Sequence, residues 1–432
     1  MVVAAALAGT GAAPAVAQAP VAPAAAIAAA RAAMRDTLRG ATLDVSVLTV
    51  GVGPDVYERF GHNLLWIRDR RTGESLVWEW GEFDFNQPDF VKRFLFGDTR
   101  YWMAGVPLSV AMNAYYARRR DVVVQELDLS AGQRAALDAF VRANALDENK
   151  YYRYDYFLDN CSTRLRDALD IVLDGAISAA LRGRATPWTY RSETLRLNQE
   201  DPWLFLGMDL ALGRPADHTM DAWQAAFIPM RFRDELRDVR VRSATGALVP
   251  LVKNERVMIA RTRPVDPPAI QAARWPVAVT VVTLVLALGI AWLGLLAERG
   301  SAAARASVVG VAVCTHLVWG LIAAMVWFVW LFTRHAFWAW NPHLLLWTPL
   351  SLVIAPLIAF ERTRSRTRGW IQGYHLVMAS AAFAVAIAVA VWRGSHLATT
   401  AALLLIWANV SWMLHLAMGL ALARLPGRTS TR

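Results

Sequence analysis

Residues 154–167 read Tyr-Asp-Tyr-Phe-Leu-Asp-Asn-Cys-Ser-Thr-Arg-Leu-Arg-Asp. Two capping residues, Asp159 and Asn160, precede Cys161, and apolar residues then recur at helical spacing. The pattern predicts a helix that begins at Cys161. A thiol in the first turn of a helix faces unpaired backbone N–H groups and the positive end of the helix dipole, which lower its pKa. We therefore expect a reactive thiol here; the alternative is a small, buried, apolar cysteine.

Composition divides the chain into two parts. Hydrophobic residues make up 56% of the 432 residues, and the excess lies after residue 275. The second cysteine, Cys314, lies in this apolar part, so we expect no disulfide with Cys161. Five apolar runs are long enough to cross a bilayer, although the third contains two prolines: 276–296, 306–332, 344–360, 372–392 and 398–422. Residues 275–425 are therefore predicted to form an all-α bundle of about five transmembrane helices.

Arginines indicate how these helices are oriented. If the first run passes from outside to inside, the inner loops and tail hold nine arginines and the outer loops hold two. This places residues 40–265, which end at a proline-rich linker, outside the cytoplasm. The net charge of +10 is mostly arginine near membrane boundaries, which indicates contact with anionic lipid rather than nucleic acid. We predict a multi-pass membrane protein whose domain at 40–265 lies outside the cytoplasm.

The first 30 residues resemble a secretion signal. They are mostly Ala, Val, Gly and Pro, and Ala17-Gln18-Ala19 matches an A-x-A cleavage site. Pro20 follows directly, so an uncleaved anchor is the alternative. Residues 1–30 are therefore interpreted as a signal-like or anchor segment.

The domain outside the cytoplasm, residues 40–265, has the pattern of an α+β fold. Alternating, β-branched segments predict strands at 43–52, 64–68 and 76–80, and weaker patterns predict strands at 101–107 and 122–129. Ser130 is expected to cap a helix over 131–144, and the Cys161 helix follows.

A thiolate nucleophile needs a base within hydrogen-bond reach and usually a group that orients this base. His62 enters the second predicted strand, whereas His218 lies in a polar turn and is expected to be solvated. Glu79 alternates to the face opposite Trp78 and Trp80, so it is positioned to meet the second ring nitrogen of His62. The other possible orienting residues are Glu82, Asp84 and Asn63. The backbone N–H of Cys161 is the expected donor to an oxyanion.

Four sequence strings carry a resemblance to a known family. They are Phe60-Gly61-His62, Trp80-Gly81-Glu82-Phe83-Asp84-Phe85, Tyr154-Asp155-Tyr156 and Asn160–Asp167. Their content and order resemble the Lnb N-terminal periplasmic domain family. The order of histidine before cysteine is similar to the permuted papain-like fold of the lecithin:retinol acyltransferase and NlpC-type families. The resemblance implies a permuted papain-like domain in which Cys161 and His62 form the catalytic pair. Relatives tend to have an amide where this chain has Glu79.

The resemblance also implies a reaction. Members with several membrane spans move an acyl chain from a phospholipid to the N-terminal amine of a lipoprotein, through a cysteine thioester and without a cofactor. Residues beside the thiol and in the outer loop are then expected to bind substrate: Asn160, Arg164, Tyr154, Tyr156, Arg334 and His343. The alternatives are a membrane-tethered cysteine hydrolase, such as a peptidoglycan amidase, peptidase or phospholipase, and a non-catalytic sensor or transport module. The spacing of His316, His375 and His415 does not predict a metal site.

Overall fold

The computed structural model describes residues 22–242, 246–260, 266–269, 274–361, 365–391 and 398–425. These residues form two compact units. The sheet unit contains the described residues of 22–198 and 218–269, and the helical unit contains 199–217 and the described residues from 274 onward.

The elements follow one another from a small N-terminal helical region to long C-terminal helices. The strands are β1 Leu43–Val50, β2 His62–Asp69, β3 Ser75–Glu82, β4 Arg100–Pro107, β5 Val122–Leu127, β6 Tyr151–Arg153, β7 Ala185–Thr189, β8 Thr219–Asp221, β9 Arg240–Arg242, β10 Leu248–Pro250 and β11 Val252–Ile259. The helices are α1 Ala24–Ala33, α2 Thr37–Ala41, α3 Phe90–Phe96, α4 Leu108–Ala117, α5 Ala131–Asn144, α6 Cys161–Val172, α7 Ala176–Leu181, α8 Tyr190–Asn198, α9 Pro202–Ala211, α10 Ala222–Ala225, α11 Pro229–Leu236, α12 Arg274–Glu298, α13 Ala302–Phe332, α14 Ser351–Pro356, α15 Ser365–Val391 and α16 Ala398–Ala423.

A seven-stranded antiparallel sheet organises the sheet unit, with the strand order β11-β5-β1-β2-β3-β4-β6. The five strands predicted from the sequence are its middle members, and α5 begins after Ser130, whose side chain accepts from the N–H of Gln133. Strands β6 and β11 were not predicted. The predicted mixed helix-and-strand domain is therefore confirmed.

Both faces of this sheet are covered. Helices α1, α5 and α6 pack on one face through residues such as Ala26, Phe140 and Leu165, which are fully buried or nearly so. Helix α4 covers part of the other face, where Ala111 joins a second apolar cluster that includes Leu64. The sandwich holds the N-terminus of α6 against strands β2 and β3.

Residues 22–30, the described end of the segment interpreted as a signal or anchor, belong to the sheet unit, and the interpretation of the segment itself stays a prediction. Helix α1 is part of the domain core, since Ala26 and Ala30 are buried against the residues of α5 and its neighbours. Alanine-rich sequence is typical of a signal peptide, but small side chains also permit close packing of two helices. In this structure, the alanines of α1 serve for helix packing. The Ala17-Gln18-Ala19 site lies outside the described residues.

Four helices of the helical unit are long and apolar enough to cross a membrane, namely α12, α13, α15 and α16. The third predicted run, 344–360, is not a continuous spanning helix, and this part of the prediction is wrong. It contains a 3₁₀ turn at Pro342–Leu345, the short helix α14 and a π-helical turn at Leu357–Glu361. Pro356 removes a backbone donor inside the run, which explains why a regular α-helix does not continue.

The chain nevertheless crosses the helical unit a fifth time. At one end, Arg424 lies 3.5 Å from the Glu298 carboxylate, and Arg368 donates to the carbonyls of Ala423 and Leu425. The ends of α12 and α16 and the start of α15 therefore lie together. Helix α13 begins just after α12 and leads to the opposite end. The residues between α13 and α15 must return the chain through the unit, and they do so along an irregular path.

Residues 199–217 pack with the helical unit, although the sequence assigns them to the domain at 40–265. The Gly213 N–H donates to the Phe337 carbonyl at 2.7 Å, and the Asn341 amide donates to the Leu210 carbonyl at 2.7 Å. An added Cβ at Gly213 would lie 1.9 Å from the Ala339 carbonyl oxygen, so this contact requires glycine. The chain therefore passes from the sheet unit to the helical unit and back before it enters the long C-terminal helices.

Candidate active site

Cys161, the thiol that the sequence predicts to be reactive, is the first residue of α6, as predicted. The Asn160 side-chain carbonyl accepts from the N–H groups of Ser162 and Thr163 at 2.9 and 3.0 Å, which caps the helix. The Asn160 amide nitrogen donates to the carbonyls of Tyr156 and Phe227. Because both ends of the side-chain amide are engaged in the protein, Asn160 holds the loop before Cys161, and the geometry gives no support to its expected role in substrate binding.

His62 stands between a thiol and a carboxylate. Its Nε2 lies 2.8 Å from Glu79 Oε2, so the contact expected from strand alternation is present. The Cys161 thiol lies close enough to the imidazole for each group to shift the pKa of the other. Since Nε2 faces the carboxylate, Nδ1 is the ring nitrogen that remains for the thiol. The structure therefore brings the three residues together in the order thiol, imidazole, carboxylate, which is the arrangement of an activated nucleophile.

A bulge in β3 makes room for this arrangement. The register of β3 against β4 shifts between Trp80 and Glu82, and Gly81 lies there with φ of +110°. A Cβ added at Gly81 would lie 3.8 Å from Cys161 Cβ and 3.9 Å from His62 Cε1. Gly81 thus supplies both the left-handed backbone and the empty volume beside the thiol–imidazole pair.

Electrostatics favour a thiolate–imidazolium pair. Burial alone would raise the pKa of Cys161, but the charge and hydrogen bond of His62 and the backbone N–H of Asn63 bring it below its ordinary value. Burial alone would lower the pKa of His62, but the negative charge of Cys161 and the hydrogen bonds to Cys161 and Glu79 raise it to about 10. Glu79 has a lowered pKa because its hydrogen bond to His62 outweighs the effect of burial. These shifts favour the charged forms of the thiol and the imidazole, which lie side by side.

The other possible orienting residues have different positions. Glu82 forms no hydrogen bond with His62 in the described structure, and burial together with the Glu79 charge raises the pKa of Glu82 to about 6. Asp84 is exposed and accepts from Asn86. The Asn63 amide is fully buried, accepts from Thr49 at 2.9 Å and donates to Ser162 at 3.0 Å. Asn63 therefore fixes β2 to α6, and Glu79 is the residue that meets the imidazole.

The remaining residues expected to bind substrate are dispersed. The Arg164 guanidinium forms a bidentate pair with Asp159 and lies 3.7 Å from the Tyr152 ring centroid, so it is engaged within the protein. Tyr154 stacks on Tyr101 with centroids 4.4 Å apart, and Tyr156 contacts Phe157. Burial and, after it, the negative charge of Cys161 raise the pKa of Tyr154 well above its ordinary value.

Arg334 and His343 belong to the helical unit. Arg334 is exposed, whereas the His343 ring is buried and donates from Nδ1 to Asn341 Oδ1 at 2.9 Å. His218 is exposed in its turn, as predicted.

Two residues near the thiol were missed. The Tyr115 hydroxyl on α4 approaches Glu79 at 3.5 Å. The Arg120 guanidinium is buried, and its positive charge stabilises a negative charge at Cys161. Arg120 Nη2 has no hydrogen-bond partner among the described residues. Neither lies in a recognisable motif, because both come from the α4–β5 segment. The one sequence signal for Arg120 is the run of three arginines at 118–120.

An exposed aromatic patch adjoins the site. We define it as Phe83, Phe85, Phe90 and Phe94, whose rings are in mutual contact. Phe83 also stacks on Tyr101, which reaches the site through Tyr154. Phe85 and Phe94 are 64% and 57% exposed, and no residue of α3 is buried. Large apolar side chains clustered on a surface indicate contact with an apolar partner.

Comparison with known proteins locates this site within a family. Residues 30–196 match the Lnb N-terminal periplasmic domain family, and this range includes His62, Glu79 and Cys161. No curated protein and no solved structure matches the chain. The permuted papain-like fold therefore stays a prediction.

Proposed function

Because the chain carries an Lnb N-terminal periplasmic domain followed by membrane-spanning helices, we propose that it is a thiol acyltransferase. It moves an acyl chain from a phospholipid, through a thioester on Cys161, to the N-terminal amine of a lipoprotein. The observation that carries the proposal is the position of His62, which contacts Glu79 at 2.8 Å and lies beside Cys161. The natural location of such an enzyme is the bacterial inner membrane with this domain in the periplasm.

The first half of the reaction forms the thioester. The Cys161 sulfur attacks the ester carbonyl carbon of the phospholipid, and the backbone N–H of Cys161 at the start of α6 stabilises the oxyanion. As the tetrahedral intermediate collapses, the carbon–oxygen bond to glycerol breaks. His62 gives its proton to the departing alkoxide and becomes neutral, so a lysophospholipid leaves.

The second half transfers the acyl chain. The acceptor amine attacks the thioester carbonyl, and neutral His62 takes the proton that the amine loses. The carbon–sulfur bond then breaks and restores the thiolate beside the imidazolium. Glu79 holds the imidazole in place during both halves and stabilises its positive charge.

The aromatic patch supports a lipid as the acyl donor. Its exposed phenylalanines are suited to acyl chains or to the boundary between headgroups and acyl chains, and Lys92 on the same helix is exposed, where it can attract anionic headgroups. A peptidase that acts on a polar substrate has no need of such a surface. Water must be kept from the thioester, because hydrolysis would make the protein a phospholipase.

The test is restoration of lipoprotein N-acylation in cells depleted of their own acyltransferase, read by mass spectrometry of the lipopeptides. The wild-type chain should restore the N-acyl group, and Cys161→Ala should not. Cys314→Ala, which removes the thiol of the helical unit, is the matched control and should behave as wild type. Failure of the wild type in a membrane that contains the folded protein would contradict the proposal. Release of free fatty acid without N-acyl product would identify a hydrolase instead.

A further inference from the structure

Three transmembrane helices each direct one buried histidine to a common point. His316 on α13, His375 on α15 and His415 on α16 are at most 2% exposed. One ring nitrogen from each lies within 4.8 Å of those of the other two. The three residues are separated by 59 and 40 positions in the sequence, so only the packing of the helices reveals the cluster. Histidine inside a membrane bundle is costly, and its presence usually has a functional or structural reason.

The hydrogen bonds of these rings suit metal coordination. His316 Nδ1 lies 2.7 Å from the Ala312 carbonyl, to which it must donate, and this leaves the lone pair on Nε2. A metal-bound histidine commonly donates its other ring N–H to a backbone carbonyl in this way. His375 Nδ1 and His415 Nδ1 lie 3.2 Å apart. Two nitrogens that each lie about 2.0–2.1 Å from a tetrahedral zinc ion are about 3.3–3.4 Å apart, so this pair already has the spacing of two ligands.

The inward-facing nitrogens of the cluster are poorly satisfied without an ion. Among the described residues, His316 Nε2 has no hydrogen-bond partner. Nε2 of His375 and His415 also has none, and an ion bound at their Nδ1 atoms would not change this. At most one hydrogen bond can join His375 to His415 when both rings are neutral, since only one of the facing nitrogens then carries a proton. Buried polar atoms normally find partners, and a cluster in which several do not calls for an explanation such as a bound ion.

We propose that His316 Nε2, His375 Nδ1 and His415 Nδ1 bind a transition-metal ion of the Zn²⁺ type. Imidazole nitrogens suit zinc and its neighbours, whereas Ca²⁺ and Mg²⁺ prefer oxygen ligands, and the cluster found among the described residues contains no carboxylate. A bound ion draws the His316 ring inward from its present distance and leaves one coordination position open. The ion joins helices α13, α15 and α16, which come from three separate stretches of the sequence. It therefore stabilises the helical unit.

Close packing beside His375 is part of the same site. A Cβ added at Gly419 on α16 would lie 3.1 Å from His375 Cβ, closer than side chains normally approach. Gly419→Ala should therefore displace the His375 ring and weaken binding without removing a ligand. Gly373→Ala is the matched control, because Gly373 lies two positions from His375 on α15 and has open space around its Cα.

The experiment uses the full chain in detergent, purified with a tag that contains no histidine and treated with a chelator. Zn²⁺ is then titrated and the bound metal measured by mass spectrometry. The wild type should hold about one ion per chain and melt at a higher temperature with Zn²⁺ than with chelator. His375→Asn and His415→Asn should lose both effects. His335→Asn, which changes a histidine outside the cluster, should keep them. Less than about a tenth of an ion per chain in the wild type, or full occupancy in both variants, would overturn the proposal.

A ligand exchange separates loss of metal from loss of fold. His316→Cys retains a donor atom that binds zinc and cobalt, so it should still bind Co²⁺ and should add a sulfur-to-metal absorption band in the near ultraviolet. The wild type should show only the visible bands of tetrahedral Co²⁺ with nitrogen ligands. Absence of those bands in folded wild-type protein, or the same spectrum in both proteins, would place the ion elsewhere and contradict the site.

Discussion

His62 in the sheet unit and the three-histidine cluster of the helical unit have opposite surroundings. In the sheet unit, His62 lies between the Cys161 thiol and the Glu79 carboxylate, and its side chain is 18% exposed. In the helical unit, His316, His375 and His415 are buried against one another, and among the described residues no carboxylate joins them. The first environment holds a proton on the imidazole. The second presents neutral lone pairs. The chemistry of a histidine therefore follows from its partners and not from its presence in the sequence.

The largest effect is expected at His62. His62→Gln removes the imidazolium that lowers the pKa of Cys161, so the thiol should be protonated at neutral pH and attack slowly. We expect acyl transfer to fall by about 10²–10⁴-fold. The rate of Cys161 alkylation at pH 7, measured by mass spectrometry of its peptide, should fall in parallel because it reports the thiolate directly.

His218→Gln is the control for this change, since His218 is the other histidine of the sheet unit and is exposed in a turn. It should leave both rates unchanged. If His62→Gln alkylates Cys161 as fast as wild type at pH 7, the thiol does not depend on His62. His62 would then no longer differ from the histidines of the helical unit by activating a neighbouring group.

The second prediction concerns the carboxylate that distinguishes the two sites. Glu79→Gln keeps a hydrogen-bonding group but removes the negative charge beside His62 Nε2. The pKa of His62 is raised in part by that charge, so its loss should move the high-pH limb of the rate profile to lower pH. At neutral pH the rate should fall by about 10–100-fold. An unchanged high-pH limb would show that Glu79 only supports the fold.

The elements that create the site were predictable because their patterns are local. Alternation in 43–82 predicted the strands that carry His62 and Glu79, and capping residues predicted the start of α6 at Cys161. The contact between His62 and Glu79 followed from the period of a strand. These predictions needed only neighbours within a few residues.

What the sequence did not reveal depends on packing between distant segments. Tyr115 on α4 approaches Glu79, and Arg120 in the loop before β5 interacts with the charge of Cys161; no spacing rule links either residue to the thiol. The three membrane histidines lie on different helices and meet only after the bundle forms. The irregular crossing before α15 was predicted as a helix, since hydropathy does not register the effect of Pro356 on backbone hydrogen bonding.

The third prediction tests whether the sheet unit needs open space beside its histidine. Gly81→Ala places a Cβ 3.8 Å from Cys161 Cβ at a φ of +110°, so it should disturb the thiol–imidazole contact. We expect a loss of roughly 10-fold in Cys161 alkylation, together with about 1–2 kcal/mol of stability. Gly73→Ala is matched for left-handed backbone but has nothing within 4 Å, so it should cost stability alone. Equal alkylation rates in the two variants would contradict a specific role for Gly81.

The smallest effect is expected at Glu82, which titrates beside the charged histidine site. Burial and the Glu79 charge raise the pKa of Glu82 from the ordinary 4.5 to about 6. Because the folded-state pKa is the higher one, the sheet unit should lose stability as the pH rises from 4.5 through 6. Above that range, the ionised carboxylate also helps to hold the proton on His62.

Glu82→Gln should therefore reduce the difference in melting temperature between pH 5 and pH 7. It should also remove an inflection near pH 6 from the Cys161 alkylation profile while changing the rate at pH 7 by only about 2–3-fold. The full-chain protein measured at both pH values provides the comparison. Asp84→Asn is the control, because the Asp84 side chain is exposed and, in the described structure, accepts hydrogen bonds only from Asn86. If the inflection persists in Glu82→Gln, a group other than Glu82 causes it. The titration of Glu82 would then not affect the His62 site.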